Sequence, residues 1–565
     1  VGVSVGGTQR LTVGTSGVTV NGDLATTTSG TSNFVAGVNA GNSITSGGNY
    51  NVTVGDEAGT ALTVGGSNTA VGFDSLKADT KGSHSVAVGV GALYAQNFTS
   101  ATDAYNVAVG RSAGVAVTTG VRNTLIGGLS GAAMTTGDRN VAVGATSLDA
   151  CTTGQYNVAV GNDALTTLTS GARNTAVGLQ AGAAITTGSG NSFFGSDSGD
   201  ATTTGSNNTA VGYNALTANT TAGSNCALGA YALTANTTGT NNCAVASSLV
   251  TNTTGVNNTS VGNNALYYNT TGTDNNAFGL STLQACTTGY NNSGFGGGGT
   301  LLAAALQSLT TGYRNCGFGN GAAGSTTTGA HNVAVGDAAL YTNSTGSDNV
   351  AVGQGSLLAN TTASLNVGVG YNAGIALTST SNNTFIGANA GNNIVTGSNN
   401  IMLGSGARGS ATNVSELVIG YDAVGKGNAT GLIYAPGGGA MYQATNASTW
   451  AQTSDVRLKK NIVNNDVGLA KINAIQVRNF DYKTAEEVES DGVLDSRQAI
   501  VKTGTQLGVI AQELELICPD CVTTESTGVK TVSVDNLHWH MLNAIKELSA
   551  TNDALAARLT ALEGA

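Results

Sequence analysis

Proline is nearly missing from this chain, at 2 in 565 residues, and charged residues are only 9 % of it. Disordered chains are usually rich in both, so the scarcity argues against a disordered linker. The formal net charge is −11, which argues against nucleic-acid binding, since that needs a basic face. No apolar run of about 18 residues occurs, so no membrane-crossing helix is expected. Between Gly72 and Gly404 there is no glutamate at all, and the paired carboxylates of a polysaccharide-cutting site are not expected there. The chain begins at Val1 with no signal-peptide pattern, which reads as a fragment or a processed product.

What is present is glycine, at 83 residues, together with abundant Val, Thr, Ala and Asn. The glycine closing each "NxAVG"-like pentapeptide recurs at Gly127, Gly144, Gly161, Gly178, Gly195, Gly212 and Gly229, always 17 residues apart. The next slot holds Ala246, and the series continues through Gly262, Gly279 and Gly296 and, after an insertion, from Gly319 to Gly404. Upstream, Gly72, Gly89 and Gly110 extend it. "NNTAVGYNALTANTTAGS" from Asn207 shows the unit well.

Each unit reads as a short β-branched strand, "TAVG", a glycine bend, a second short strand opening at "AL", and a "TTG" turn. Such a unit cannot bury its own apolar face, but a stack of units can, which predicts a parallel β-solenoid. At about 4.8 Å per rung, 20 rungs would reach roughly 100 Å. One Val, one Leu and some Ala per rung make a thin core, so three chains are expected side by side. For the Asn opening the pentapeptide (Asn157, Asn174, Asn208, Asn225, Asn242), two readings are open: a side-chain amide ladder or simple turn corners.

Three groups of side chains raise a site question. Cys226, Cys243 and Cys316 share one repeat slot and read as small buried hydrophobes; Cys151 and Cys286 share another. "CPDC" (Cys518–Cys521) is a single CxxC, which does not define a zinc site by itself, so no metal and no cofactor are expected. Asp163, Asp197 and Asp337 follow the key glycine and read as exposed turn residues. Tyr156, Tyr213, Tyr267, Tyr268, Tyr290 and Tyr313 could stack on a sugar or merely cover the surface.

From Ser454 onward the composition changes. That segment holds 11 Lys+Arg and 16 Asp+Glu, against 10 and 16 in the 453 residues before it. "INAIQVRNFDYK" and "QLGVIAQELELICPDCV" give a mixed α/β pattern, with a strand turning into a helix across Gly508 to Glu515. His538, Met541, Ile545, Leu548, Asn552, Leu555, Leu559 and Leu562 then step by alternate threes and fours, the seam of an oligomerising helix. The segments are therefore 1–65, a β-rich shaft or attachment piece; 66–420, the repeat solenoid; 421–453, a linker or fibre tip; and 454–565, a compact domain with a terminal coiled coil.

Two resemblances follow. The "N-x-A-V-G-x-x-A-L" unit resembles the head repeats of trimeric autotransporter adhesins and, more closely, repeats in tail fibres of marine phages and large algal viruses. This implies a trimeric fibre of the β-roll type. Residues 454–565, through Ser454-Asp455-x-Arg457-Leu458-Lys459, "GVIAQEL" and the terminal helix, resemble the intramolecular chaperone domain of the S74 peptidase family. That resemblance implies a domain that trimerises, guides assembly of the fibre before it, and then cuts itself off at Thr453–Ser454. Ser454 would be the nucleophile and Lys459 its base, with Asp455 and Arg457 in support. A serine hydroxyl needs such a base, and attack on the preceding carbonyl is intramolecular. A five-residue spacing on an α-helix would leave the two side chains about 140° apart, so a loop or a neighbouring protomer must bring them together.

The expected protein is mainly β: a viral tail fibre located in the virion, assembled in the host cytoplasm. Its expected partners are two further copies of itself, other tail proteins, and a host-surface receptor, a glycan or outer-membrane protein. No nucleic acid and no membrane insertion are expected. The alternatives are a bacterial trimeric adhesin, whose membrane β-barrel anchor is not expected from these residues, and a fibre-borne polysaccharide depolymerase.

Overall fold

The computed structural model describes residues 2–5, 8–14, 17–20, 28–299, 302–435, 440–443, 451–452, 456–465, 468–491, 502–525 and 528–564. The chain forms two compact units, Val1–Thr453 and Ser454–Ala565.

The first unit opens with an antiparallel meander of Gly2–Val5, Thr8–Gly14 and Gly17–Val20. A parallel stack of about 23 turns follows. It begins at Phe34–Ala36, earlier than the 66–420 span read from the repeat, because the rungs at Phe34–Ala36 and Val52–Val54 pair in the same register with weaker sequence identity. It ends at Gly431–Tyr434, which then pairs antiparallel with Ala440–Gln443. That reversal replaces the open edge of the stack with a different pairing, as terminal rungs of repeat arrays generally do.

The repeat contributes one strand to each rung, not two; among the described residues a second short pair occurs at Gly82–Ser83 and Thr102–Asp103. In the rung of Val158–Val160, Ala159 points inward and is fully buried, while the two flanking valines are half-buried on the outside. The expected second strand at "AL" is instead a chain of tight turns. Leu165 is fully buried with φ +52°, and Asp163 two residues earlier has φ +56°. A leucine in the left-handed region carries a steric cost that β propensity does not anticipate. The alternation of backbone sense lets the corner also bond to the adjacent rungs: Leu165 N donates to Ala181 O at 3.1 Å and Asp163 N to Ala145 O at 3.1 Å. Every corner thereby becomes part of the axial ladder, and buried backbone groups stay paired.

The key glycine holds the strand exit. Gly212 has φ +132°, and a methyl group there would lie 2.7 Å from the carbonyl carbon of Gly229 on the next rung. Only glycine meets both conditions. Where Ala246 takes the slot, φ drops to +67° and the step between strands shortens to 16 residues, Cys243 pairing with Thr259.

Polar ladders line the stack. Asn157 N donates to Asn140 Oδ1 at 3.0 Å, Asn157 Nδ2 to the same oxygen at 3.1 Å and to Gly171 O at 2.9 Å. The ladder reading of these asparagines is therefore the observed one. The backbone bond of this pattern runs from Asn33 to Ser85 and again from Asn106 to Glu416, whose N–H donates to Asn400 Oδ1 at 3.0 Å. A threonine ladder runs beside it: Thr152 Oγ1 donates to Thr169 O at 3.2 Å and Thr169 Oγ1 to Thr186 O at 3.0 Å. A second asparagine ladder, absent from the sequence reading, joins Asn219, Asn236, Asn252 and Asn269.

The second unit contains α1 (Leu469–Ala474), α2 (Ala485–Asp491), α3 (Ala511–Ile517) and α4 (Val534–Glu563). Two antiparallel pairs accompany them: Arg478–Phe480 with Gln506–Gly508, and Val522–Thr524 with Lys530–Val532. Its core is small. Leu514, Cys518 and Cys521 are buried, with Ile475, Val509, Val522, Val532 and Leu537 packed around them.

Candidate functional site

Thr453, Ser454 and Asp455, the expected scissile bond, nucleophile and supporting acid, lie outside the described residues. Directly after them Val456–Leu458 form one 3-10 turn, closed by Lys459 N donating to Val456 O at 3.1 Å. Arg457 and Lys459 are exposed. Among the described residues of this segment there is no α-helix.

Helix α4 has two faces. Ser533 caps its start, accepting from Asn536 N. Leu537, His540 and Ala544 face the domain's own core, and Glu547 reaches α1. The Glu547 carboxylate accepts from Gly468 N at 2.6 Å and Leu469 N at 2.9 Å. An anion at a helix N-terminus satisfies orphan amides and complements the dipole. Gly468 permits this close approach, since a methyl there would meet the α4 backbone at Asn543 and Ala544. The other face shows the expected seam: Met541, Ile545, Leu548, Leu555, Leu559 and Leu562 are all exposed, 44 % to 75 %. Asn552 and His538 are exposed as well. A helix that leaves this many large apolar side chains in one stripe has an unmet packing partner.

Between the end of α3 and α4 lies a cluster that the sequence reading set aside. Cys518 and Cys521 are fully buried and joined as a disulfide. Asp520, between them, has one carboxylate oxygen 2.7 Å from His540 Nε2, and its Oδ1 3.4 Å from Lys471 Nζ. The His540 contact holds the Asp520 carboxyl below its usual range. No sequence signal links His540 to the CxxC, because the helical register that buries it is fixed only by the packing of α4.

On the shaft the candidate residues are dispersed. Cys226, Cys243 and Cys316 occupy the first, outward-facing strand position and are half-buried, not interior as expected. The strand's inward position is its middle residue, which the repeat pattern alone does not reveal. Cys226 and Cys243 stand in register on adjacent rungs. Cys151 and Cys286 are buried, and burial pushes their thiols up to about 11 and about 12. Asp163, Asp197 and Asp337 belong to different rungs, the first two half-buried and the last exposed. Tyr156 is exposed with Arg139 and Arg173 over its ring at 5.3 and 5.9 Å. Tyr290 stacks on Tyr313 at 4.8 Å, Tyr213 meets Tyr231 edge-on, and Tyr267 meets Tyr268. Along the strands' outer edge Phe278, Phe295 and Phe318 stack at 4.7 and 4.5 Å.

The fold defines a class: a long parallel β-solenoid followed by a small α/β domain with an exposed terminal helix. Comparison with protein families then bears on the second unit. Residues 454–523 match the model of the peptidase S74 family, described as the chaperone of endosialidase. A β-solenoid of 17-residue repeats with this chaperone domain at its C-terminal end matches a phage tail fibre. No curated protein and no solved structure matches the chain. Among the described residues no helix is long and apolar enough to cross a membrane.

Proposed function

We propose that this chain is a homotrimeric viral tail fibre whose second unit assembles the first and then releases it. One coincidence carries the reading. The family match begins at Ser454, and the two compact units divide between Thr453 and Ser454. A cut at that bond would separate the shaft from its assembler without breaking either.

The physical need is clear from the ladders. Successive rungs present nearly the same Asn, Thr and Gly contacts, so copies of the shaft can pair with a slip of one whole rung at little energetic cost. A domain that trimerises through the α4 seam would set the register before the non-local pairing begins. Ser454 Oγ attacks the Thr453 carbonyl while Lys459 takes its proton; the Ser454 nitrogen leaves with that proton as a new amine, and water then hydrolyses the Thr453–Ser454 ester, so that the shaft ends in the Thr453 carboxylate. Loss of the assembler removes the ordered route back, so the trimer persists kinetically. The shaft then presents its outer tyrosines and strand edges to a host receptor, a glycan or an outer-membrane protein, and joins other tail proteins in the virion.

Expression of Val1–Thr453 without the second unit tests the assembly claim. The expected result is aggregated or monomeric shaft, against trimer from the full chain by sedimentation. Equal trimer yield from both would refute it.

A further inference from the structure

We propose that Cys518, Asp520, Cys521 and His540 hold a divalent ion of the zinc class, fastening the turn after α3 to helix α4. The proposal concerns the assembler domain and stands apart from its cleavage chemistry.

The donor set is of the right kind and nearly in place. Two thiol sulfurs, one carboxylate oxygen and one imidazole nitrogen all lie within 4.8 Å of one another. Tetrahedral zinc, with sulfur at about 2.3 Å and nitrogen or oxygen at about 2.0–2.2 Å, sets its donors roughly 3.3–3.8 Å apart. Reduction lets the two sulfurs part, and with the His540–Asp520 pair opening slightly and the wider pairs closing, shifts of about one to one and a half ångströms reach that spacing. The turn already brings the two cysteines together, with Cys521 N donating to Cys518 O at 2.9 Å. The third and fourth donors are already adjacent, His540 Nε2 lying 2.7 Å from Asp520 Oδ2.

Burial and charge fit as well. His540 is only 3 % exposed and both cysteines are fully buried, while the Asp520 side chain is 49 % exposed. The carboxylate is thus the side through which an ion enters and loses its water. Two thiolates and one carboxylate leave a single negative charge on a bound dication. The Lys471 ammonium, 3.4 Å from Asp520 Oδ1, balances it.

The sulfurs are bonded to each other in the structure. The ion-binding form is the reduced pair, which is the form expected where a cytosol keeps thiols reduced. Capture of the ion then displaces the two thiol protons. A disulfide alone would fasten only a three-residue turn and leaves His540 and Asp520 without a role in it. An ion fastens the same turn to α4, in a domain whose core is too small to do so by burial alone.

The test uses the full chain, purified without chelator under a phosphine reductant. Elemental analysis should find about one zinc per chain. Titration with Co²⁺ should give thiolate-to-cobalt charge transfer and the intense visible bands of a tetrahedral ion, both discharged by zinc. Cys518→Ser/Cys521→Ser should abolish them although the five shaft cysteines remain. His540→Ala should weaken zinc by more than about tenfold, the scale on which even outer-shell partners act, and should alter the cobalt spectrum. Asp520→Ala, at the exposed ligand, should weaken zinc while leaving the sedimentation of the chain unchanged. Absence of cobalt bands in the reduced wild-type chain would overturn the proposal. So would cobalt spectra that are identical in wild type and His540→Ala.

Discussion

Asn208 donates its backbone N–H to Asn191 Oδ1 at 3.0 Å and its side-chain amide to the same oxygen at 3.1 Å. Asn191 in turn donates to Gly205 O at 2.9 Å. One buried side chain therefore satisfies two backbone groups of the next rung, the Asn208 N–H and the Gly205 carbonyl. Asn191→Ala would leave the Asn208 amide and the Gly205 carbonyl without that partner inside the stack. The expected cost is about 1–3 kcal/mol, read as a lower denaturant midpoint of the shaft. Hydrogen exchange should quicken at Asn208 more than at the ladder's ends.

The core exchanges volume between rungs. Where the strand centre is large, the buried leucine slot four residues after the key glycine holds glycine instead. Phe193 is flanked by Gly182 and Gly199, and a methyl on Gly199 would lie 2.5 Å from Phe193 Cζ. Leu125 is flanked in the same way by Gly114 and Gly131. Gly199 keeps φ +58°, near the +52° of Leu165, so the slot's backbone is unchanged. Phe193→Ala should cost about 3–5 kcal/mol. Adding Gly199→Leu to that variant should recover part of the loss, while Gly199→Leu alone should destabilise. A double-mutant cycle on shaft unfolding would expose the coupling.

Where Ser85 interrupts the asparagine ladder, a different buried group repairs it. Gln96 Nε2 donates to Asp79 Oδ2 at 2.7 Å and to Ser85 Oγ at 3.0 Å, and Asn106 Nδ2 donates to Gln96 Oε1 at 2.8 Å. Burial raises the Asp79 carboxyl above its ordinary 3.8, with the Gln96, Gly82 and Phe98 hydrogen bonds opposing. The folded state therefore holds this proton more tightly than the unfolded chain. Its contribution is fully present below 3.8 and is lost as pH rises through the folded-state value. Asp79→Asn should remove that fall from a plot of shaft stability against pH.

The α4 seam is exposed within one chain, so substituting it should spare the domain and affect only association. Leu555→Glu/Leu559→Glu should abolish trimer formation by the full chain while leaving helix content, by circular dichroism, nearly unchanged. Trimers of undiminished yield would remove the seam from the assembly step.

Much of this fold is legible in the sequence because stacking repeats a local rule. The 17-residue spacing gives the axial register, and the glycine slot gives the strand exit. The leucine after "A" is a different matter. Its left-handed backbone is enforced by bonds to neighbouring rungs, and no propensity for leucine foretells it, so a strand was expected where turns occur. Cys226 was expected inside because the repeat shows a slot but not which way the slot points. At the assembler, the seam from Met541 to Leu562 follows from helical spacing alone. The nearness of His540 and Glu547 to Asp520 and Gly468 depends on how α4 packs, which spacing along the chain does not encode.

The most direct test of the account is the mass of the chain after expression. The wild-type protein, 55.6 kDa as one piece, should yield a shaft ending at Thr453 and a separate fragment of about 112 residues, Ser454–Ala565. Ser454→Ala should remain a single chain and still form trimers. A wild-type chain that stays whole once trimeric, or a Ser454→Ala chain that is cut at the same bond, would contradict it.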